Sequence, residues 1–391
     1  MIQPSSAAAA QQEIARRGLQ SIDFTLQYNQ SRRFYCSVVG GIFMSQNQTY
    51  NVAIVGATGA VGEQLLNVLA ERNFPIHDLR LLSSKRSAGT TLSFKDKEYI
   101  VQEAKPESFE QLNVAFFSAG GSVSKKLAHE AVRRGAVVID NTSAFRMDPN
   151  VPLIVPEVNA SELKNHHGII ANPNCSTIQM VVALEPIRKQ YGLSKVIVST
   201  YQAVSGAGLE AVDELYEQTA AILQDKAMDP KILPVSSDEK HYQIAFNAIP
   251  QIDKFQENGY TFEEMKMINE TKKIFGMPEL EVAATCVRLP VETGHSESVY
   301  VEVKEGSPTV AEIRQLLENG DGVTVQDNPE EQIYPMPVQA VGKSDVFVGR
   351  IRKDLDRENG IHMWVVSDNL LKGAALNSVQ IAESLIQQKL L

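Results

Sequence analysis

The stretch "NVAIVGATGAVGEQLLNVLAER", residues 51–72, constrains the chain more than any other. Residues 51–56 form a short apolar run rich in β-branched side chains, which reads as a strand buried on both faces. Gly56, Gly59 and Gly62 follow at regular spacing, with Thr58, Ala60 and Val61 between them. "EQLLNVLAER" (63–72) then places Leu65, Leu66 and Leu69 at helical spacing. A strand, a glycine turn and a helix in that order make a cradle for a dinucleotide. Glycines let the backbone approach a pyrophosphate, and the helix N-terminus faces the anion. The spacing is G-x-x-G-x-x-G and not the commoner G-x-G-x-x-G, and a simple strand–helix turn is the plainer alternative.

The alternation continues. "LRLLSS" (79–84), "NVAFFSAG" (113–120) and "AVVID" (136–140) read as strands, and "SKKLAHEAVRRG" (124–135) as a helix. "TLSFKDKEYIVQEA" (91–104) reads as a hairpin insertion turning at Lys95-Asp96-Lys97. Strands alternating with helices predict an α/β fold, a parallel sheet with helices on both faces. Its second strand speaks to the cofactor. An NAD site usually places an acidic residue near this point for the ribose hydroxyls. Here the chain has "SSKRSAG", with Ser84, Lys85, Arg86 and Ser87. Cations without a carboxylate favour a 2′-phosphate, hence NADP(H), unless the segment is only a solvated basic turn.

From about residue 195 the pattern changes. Strands are expected over 195–202, 279–291, 297–303, 345–355 and 361–368, and helices over 209–223 and 259–276. The second of these helices is opened by a Thr261/Glu264 capping box. This reads as a larger mixed or antiparallel sheet with helices on one face. An amphipathic stretch, 370–388, ends the chain and is expected to return to the cofactor domain.

A length of 391 residues suits about two domains. The formal net charge of −10 disfavours nucleic acid and anionic membranes as partners, though not a small anionic substrate in a basic pocket. The three cysteines, Cys36, Cys175 and Cys286, are scattered and show no disulfide framework or metal-ligand spacing. They suit a reducing, cytoplasmic setting. No run approaches the ~18 apolar residues of a membrane span. The first 43 residues, with four Arg, one Glu, one Asp and an Ala tract, are poor core material. They are read as a disordered leader or an over-extended start before Met44, with a transit peptide as the other reading.

Several residues could carry chemistry. In "GIIANPNCSTIQM" (168–180), Cys175 sits where a strand ends and a helix begins. Helix N-terminal amides favour a thiolate and can hold an oxyanion, but a buried cysteine is also ordinary packing. His295, in "VETGHSESV", reads as a loop residue, either an acid/base or simply exposed. Arg288 lies in a strand apolar on both faces and wants a carboxylate from the protein or from a ligand. Glu263 and Lys266 share a helix face and would ordinarily be a solvated pair. Arg146 follows a parallel strand at its C-terminal end, where ligands gather, or is an exposed loop cation. Gln202 ends a strand and could orient a polar group or cap the strand.

Taken in order, "GATGAVG", "SSKRSAG", "FFSAGGSVS", "IDNTSAFRMD", "ANPNCST", "STYQAVSGAG", "EEMKMINETKKI", "RLPVETGHSESV", "DVFVGRIRKD" and "SDNLLKGAALNSVQIAE" resemble aspartate-semialdehyde dehydrogenases of the bacterial type. The likeness runs from about residue 50 to the end. It implies a Rossmann-type NADP-binding domain (50–174) and an α+β catalytic and dimerisation domain with a large mixed sheet (175–368). A C-terminal helix (369–391) would return to the first domain, and 1–49 would lie outside the pattern. The resemblance also implies residue roles. Cys175 would be the nucleophile forming a thioester, His295 the acid/base and Gln202 the orienting group. Arg288 would bind the substrate α-carboxylate and Glu263 its amino group, with Arg146, Asn174 and Lys266 at the phosphate. NADP would lie on Gly56, Thr58, Gly59, Ala60, Val61, Gly62, Ser84, Arg86 and Ser87, with Ser205, Gly206 and Asn369 near the nicotinamide. The substrate implied is L-4-aspartyl phosphate, the assembly a homodimer or dimer of dimers, and the product a precursor of lysine, threonine, methionine and diaminopimelate. N-acetyl-glutamyl-phosphate reductase is the nearest rival, since it performs the same chemistry on an acylated amine. Glyceraldehyde-phosphate-type dehydrogenases are a weaker rival. A non-catalytic NADP-binding protein is the remote one, and need not keep Cys175, Gln202, Arg288 and His295 together.

Overall fold

The computed structural model describes residues 48–391. The expectation for the leader, with Cys36 and Met44, therefore lies outside the described residues. The first sheet has six strands, all parallel: β1 (Tyr50–Val55), β2 (Ile76–Ser83), β5 (Gln102–Glu103), β6 (Val114–Phe117), β7 (Val137–Asp140) and β8 (Ile169–Ala171), in the order β5-β2-β1-β6-β7-β8. The chain leaves β1 toward β2 on one side and returns to β6 on the other. Ligands bind in such sheets at this switch point, outside the C-terminal ends of the strands. The expected hairpin is formed by β3 (Thr91–Phe94) and β4 (Lys97–Ile100).

Helix α1 (Ala60–Glu71) begins three residues before the expected start. The turn after β1 is tight enough that Gly59 already accepts from the Glu63 amide at 2.9 Å. Gly56 makes this possible, because it takes the positive φ that glycine alone adopts without strain. Its φ is +92°, and a β-carbon there would meet the Ser118 backbone at 2.8 Å. Helix α2 (Gly121–Arg133) follows β6.

Helix α3 (Cys175–Tyr191) leaves β8 after the Asn172-Pro173-Asn174 break and runs through the main core. The second sheet is mixed: β9 (Leu193–Gln202), β10 (Glu281–Arg288), β11 (His295–Val303), β12 (Val323–Val325), β13 (Val346–Lys353) and β14 (Gly360–Ser367), in the order β10-β9-β11-β14-β13-β12. Helix α4 (Leu209–Leu223) matches its expected span. Helix α5 (Phe262–Phe275) carries the expected capping box, and α6 (Val310–Glu318) carries a second one at Thr309. Helices α3, α5 and α6 bury one face of this sheet in a single apolar cluster. The final segment, a π-turn at Leu371–Ala375 and helix α7 (Leu376–Gln387), packs Val379, Ala382 and Leu385 in one cluster with Val52 and Ile54 of β1 and Leu65 and Leu69 of α1. An Arg72–Glu383 pair, with both hydrogen bonds at 2.7 Å, fastens it to the chain just after α1. Such bidentate pairing is the stronger form of the interaction.

Candidate active site

The C-terminal ends of β1, β6 and β8, the start of α3 and the end of β9 converge on a cavity of about 510 Å³. It is lined by Gly59, Ala60 and Val61 at one end and by Arg146, Asn174, Cys175, Gln202, Glu263, Lys266 and Arg288 at the other. Ser205, Gly206 and Asn369 line it as well.

Asn174 caps α3, as a short polar side chain at this position commonly does. Its Oδ1 accepts from the Ser176 amide at 3.0 Å and from the Thr177 amide at 3.3 Å. This corrects the expectation that the helix amides stand free for an oxyanion: Asn174 occupies two of them. Its Nδ2 donates to Glu263 Oε1 at 2.8 Å, and its backbone N–H donates to Glu270 Oε2 at 2.7 Å. Two carboxylates of α5 thus grip the residue before Cys175.

Burial, then the Glu263 carboxylate, pushes the Cys175 thiol up to about 12, against the opposing pull of Arg146 and Arg288. Both effects disfavour the anion. The helix terminus alone does not produce a free thiolate here, contrary to the sequence reading. The expected consequence is an alkylation rate of Cys175 that climbs about tenfold per pH unit from neutral to alkaline pH in the ligand-free protein, with no plateau. A pH series with iodoacetamide checks this, and a plateau near neutrality would refute it.

Glu263 is buried, not solvated as its spacing suggested. Burial alone would raise its carboxyl. Lys266, whose Nζ lies 3.2 Å from Oε2, outweighs that, helped by donors from Asn174 and Gln202, and holds it down to about 2. Lys266 also reaches Asp253 at 2.9 Å. Burial would lower its ammonium, but Glu263 and Asp253 together raise it. Gln202 donates from Nε2 to Glu263 Oε1 at 3.1 Å.

Arg288 is 4% exposed, and its Nη1 donates to the Ala203 carbonyl at 2.7 Å. Among the described residues it makes no ion pair within contact distance, though the Glu263 carboxylate acts on it from nearby, and it lines the cavity. Arg146 is buried too, not an exposed loop cation. It donates to the Asn172 and Asn141 carbonyls and pairs with Glu270 at 3.1 Å.

His295 is the clearest positional correction. It opens strand β11 and is fully buried, because it pairs with Ser367 of β14. Burial, then Arg288, holds its ring down to about 3, so the imidazole is neutral. Its Nδ1 accepts from the Ala203 amide at 3.1 Å. In a neutral ring that leaves the proton on Nε2. That Nε2 has no partner among the described residues. It faces Gly206, where a β-carbon would come within 3.3 Å of it and within 3.1 Å of Arg288 Nη1. Asn369 donates to Ser205 Oγ at 3.1 Å and accepts from the Gly294 amide at 2.8 Å.

At the other end, Thr58 Oγ1 and Ser83 Oγ are 3.0 Å apart, tying the glycine turn to the end of β2. Ser84 and Arg86 are exposed beyond it and Ser87 is half-buried. No carboxylate closes β2, and Arg86 makes no ion pair among the described residues. These residues fit a dinucleotide with a 2′-phosphate.

Sequence reasoning missed Glu270, Asp253 and the Ala203 backbone. The signal for Glu270 was its place on the Glu263/Lys266 face of α5, four residues past Lys266. Residues at that spacing are neighbours on a helix. Only the packing of α5 on α3 makes that face interior.

A Rossmann-type sheet joined to a mixed sheet, with a cysteine at the head of the helix between them, defines a two-domain dehydrogenase. Residues 51–166 match the family described as semialdehyde dehydrogenase, NAD binding domain, and residues 184–372 match its dimerisation domain. The aspartate-semialdehyde dehydrogenase of Bacillus subtilis is 73% identical over 86% of this chain and 97% of its own. That of Aquifex aeolicus is 56% identical over 88% and 99%. The solved aspartate semialdehyde dehydrogenase II of Vibrio cholerae complexed with ASA superposes at a TM-score of 0.83, with 48% identity over 87% of this chain and 99% of that one. A Candida albicans enzyme solved with NADP superposes at 0.69, with 26% identity over 88% and 100%. The chain belongs to the aspartate-semialdehyde dehydrogenase family.

Proposed function

We propose that the chain reduces L-4-aspartyl phosphate to L-aspartate 4-semialdehyde through a thioester on Cys175. The observation that carries this is the convergence of Cys175, Arg288, Glu263, Lys266 and Arg146 on one cavity that also reaches the glycine turn. Arg288 takes the α-carboxylate with the part of its fork that Ala203 leaves free. Glu263, ionised and buried, takes the ammonium. Arg146 and Lys266 offset the phosphate charge, and Asn174 braces the turn between them.

The Cys175 sulfur attacks the acyl carbon. The S–C bond forms, the C–O bond to phosphate breaks, and phosphate leaves with its electron pair and takes up the thiol proton. NADPH bound at the glycine turn and Arg86 supplies the hydride. His295 offers its Nε2–H to the oxygen that gains charge as the thiohemiacetal forms. Taking the thiol proton would require the other tautomer and loss of the Ala203 contact. Breakage of the S–C bond then frees the aldehyde and returns the sulfur.

NADP reduction with L-aspartate 4-semialdehyde tests the reading: it should require phosphate. Activity with N-acetyl-glutamate semialdehyde instead would move the enzyme to the rival substrate class. An ionised Glu263 argues against that class, because an acylated amine carries no charge for it. Arg86→Ala should weaken NADPH binding about tenfold or more while changing NADH little. Equal losses in fluorescence titrations of both cofactors would remove Arg86 from the 2′-phosphate.

The same reading places the enzyme in the cytoplasm as a homodimer or dimer of dimers. The dimerisation-domain match supports the dimer, as does the outer face of the mixed sheet, where Ile197 is 46% exposed on the strand that also carries Tyr201, itself packed on Trp364. Among the described residues no helix is long and apolar enough to cross a membrane.

A further inference from the structure

The C-terminal segment reaches the nucleophile through one irregular turn. In Leu371–Ala375 the Gly373 amide donates to the Asp368 carbonyl at 3.1 Å and the Ala375 amide to Leu370 at 3.0 Å, the wider spacing of a π-turn. The buried Asp368 carboxylate fixes its start, accepting from the Leu370, Leu371 and Gly342 amides at 2.9–3.0 Å. Such turns frequently mark functional sites. This one presses Gly373 onto the nucleophile: a β-carbon there would lie 2.7 Å from Cys175 Cβ and 3.2 Å from its Cα.

The neighbouring side chain enters the protein. Lys372 is 1% exposed. Its Nζ donates to both Glu157 oxygens and to Gln380 Oε1 at 2.7 Å, and to Asn377 Oδ1 at 3.1 Å. Glu157 stands on the helical turn Pro156–Asn159. Asn377 donates onward to Asn172 Oδ1 at 2.7 Å, and the Asn172 carbonyl accepts from Arg146 Nε at 2.9 Å. One polar chain thus runs from Lys372 to Arg146. A buried ion pair is a poor source of stability, since apolar residues of similar volume often serve as well. None of Lys372, Glu157 or Asn377 lines the cavity.

Resting on the thioester reading above, we propose that Lys372 is a positioning residue. With Glu157 it locks the π-turn so that Gly373 backs Cys175 and aims the sulfur at the acyl carbon.

The test uses the full chain and counts native Cys175 thiols by alkylation, with Cys175→Ala as background. Lys372→Met keeps the volume and removes the ammonium. Its kcat per Cys175 thiol should fall about 30-fold or more, while KM for L-aspartate 4-semialdehyde and for NADP stays within about threefold, since small misplacements of a reacting group cost on that scale. A pair that served only stability would lower the number of native thiols and leave kcat per thiol unchanged. Glu157→Gln removes the opposite charge and should lower kcat per thiol in the same sense. If Lys372→Met does not fold, Glu157→Gln decides on the same readout. A folded variant within about twofold of the parent in kcat per thiol would overturn the proposal. Phosphate-dependent turnover of the parent tests the underlying reading separately. A parent without it removes both, whereas an active parent with unaffected variants removes only this one.

Discussion

Cys175→Ala is expected to fold, to bind NADP normally, and to lose phosphate-dependent turnover by about 10³-fold or more, because no step that makes or breaks the S–C bond survives. The fold should tolerate the change. Helix α3 is capped by Asn174, not by the thiol, and the position is half-buried. Among the described residues no second thiol can stand in. Cys286 is fully buried in β10, 3.9 Å from the Met267 sulfur. Parallel measurements of NADP affinity and of semialdehyde oxidation check this. A residual rate within about tenfold of the parent would mean that Cys175 does not carry the acyl group.

Arg288→Lys should cost about 10- to 100-fold in kcat/KM for L-aspartate 4-semialdehyde and leave KM for NADP almost unchanged. The charge is kept, but the fork is lost. One arm of the guanidinium already serves the Ala203 carbonyl, whose neighbouring amide in turn orients His295. A lysine can serve that carbonyl or a ligand carboxylate, not both in good geometry. Burial lowers the affinity of the guanidinium for its proton. A less basic lysine ammonium at that position would be held charged less securely still. Steady-state kinetics against both substrates separates the readings. Equal losses for aldehyde and cofactor would make Arg288 a structural residue.

Local order was legible wherever local physics decides it. The strand–glycine–helix unit could be read because Gly56 must take a positive φ there, and α4 and the Thr261 cap because periodicity and capping are written in neighbouring residues. Burial that depends on distant packing was not. Gly294 made His295 look like part of a loop, yet pairing with β14 and β9 draws the next residues into the sheet. Glu263 and Lys266 looked solvated until α5 was laid against α3. The face Glu270 shares with Glu263 and Lys266 does not by itself show burial, and neither Glu270 nor Lys372 can be read as buried without a partner more than 90 residues away, Asn174 and Glu157. The π-turn was hidden for the same reason. "LKGAA" reads as ordinary helix, and only Asp368 and the contact at Cys175 widen it.

The most direct measurement is to trap the acyl-enzyme. The protein is mixed with NADP and L-aspartate 4-semialdehyde without phosphate, quenched in acid, digested and weighed by mass spectrometry. The peptide bearing Cys175 should gain the mass of one aspartyl group, in step with one NADPH per active site, and phosphate added before the quench should discharge it. A stoichiometric burst of NADPH with an unmodified Cys175 peptide would contradict the thioester.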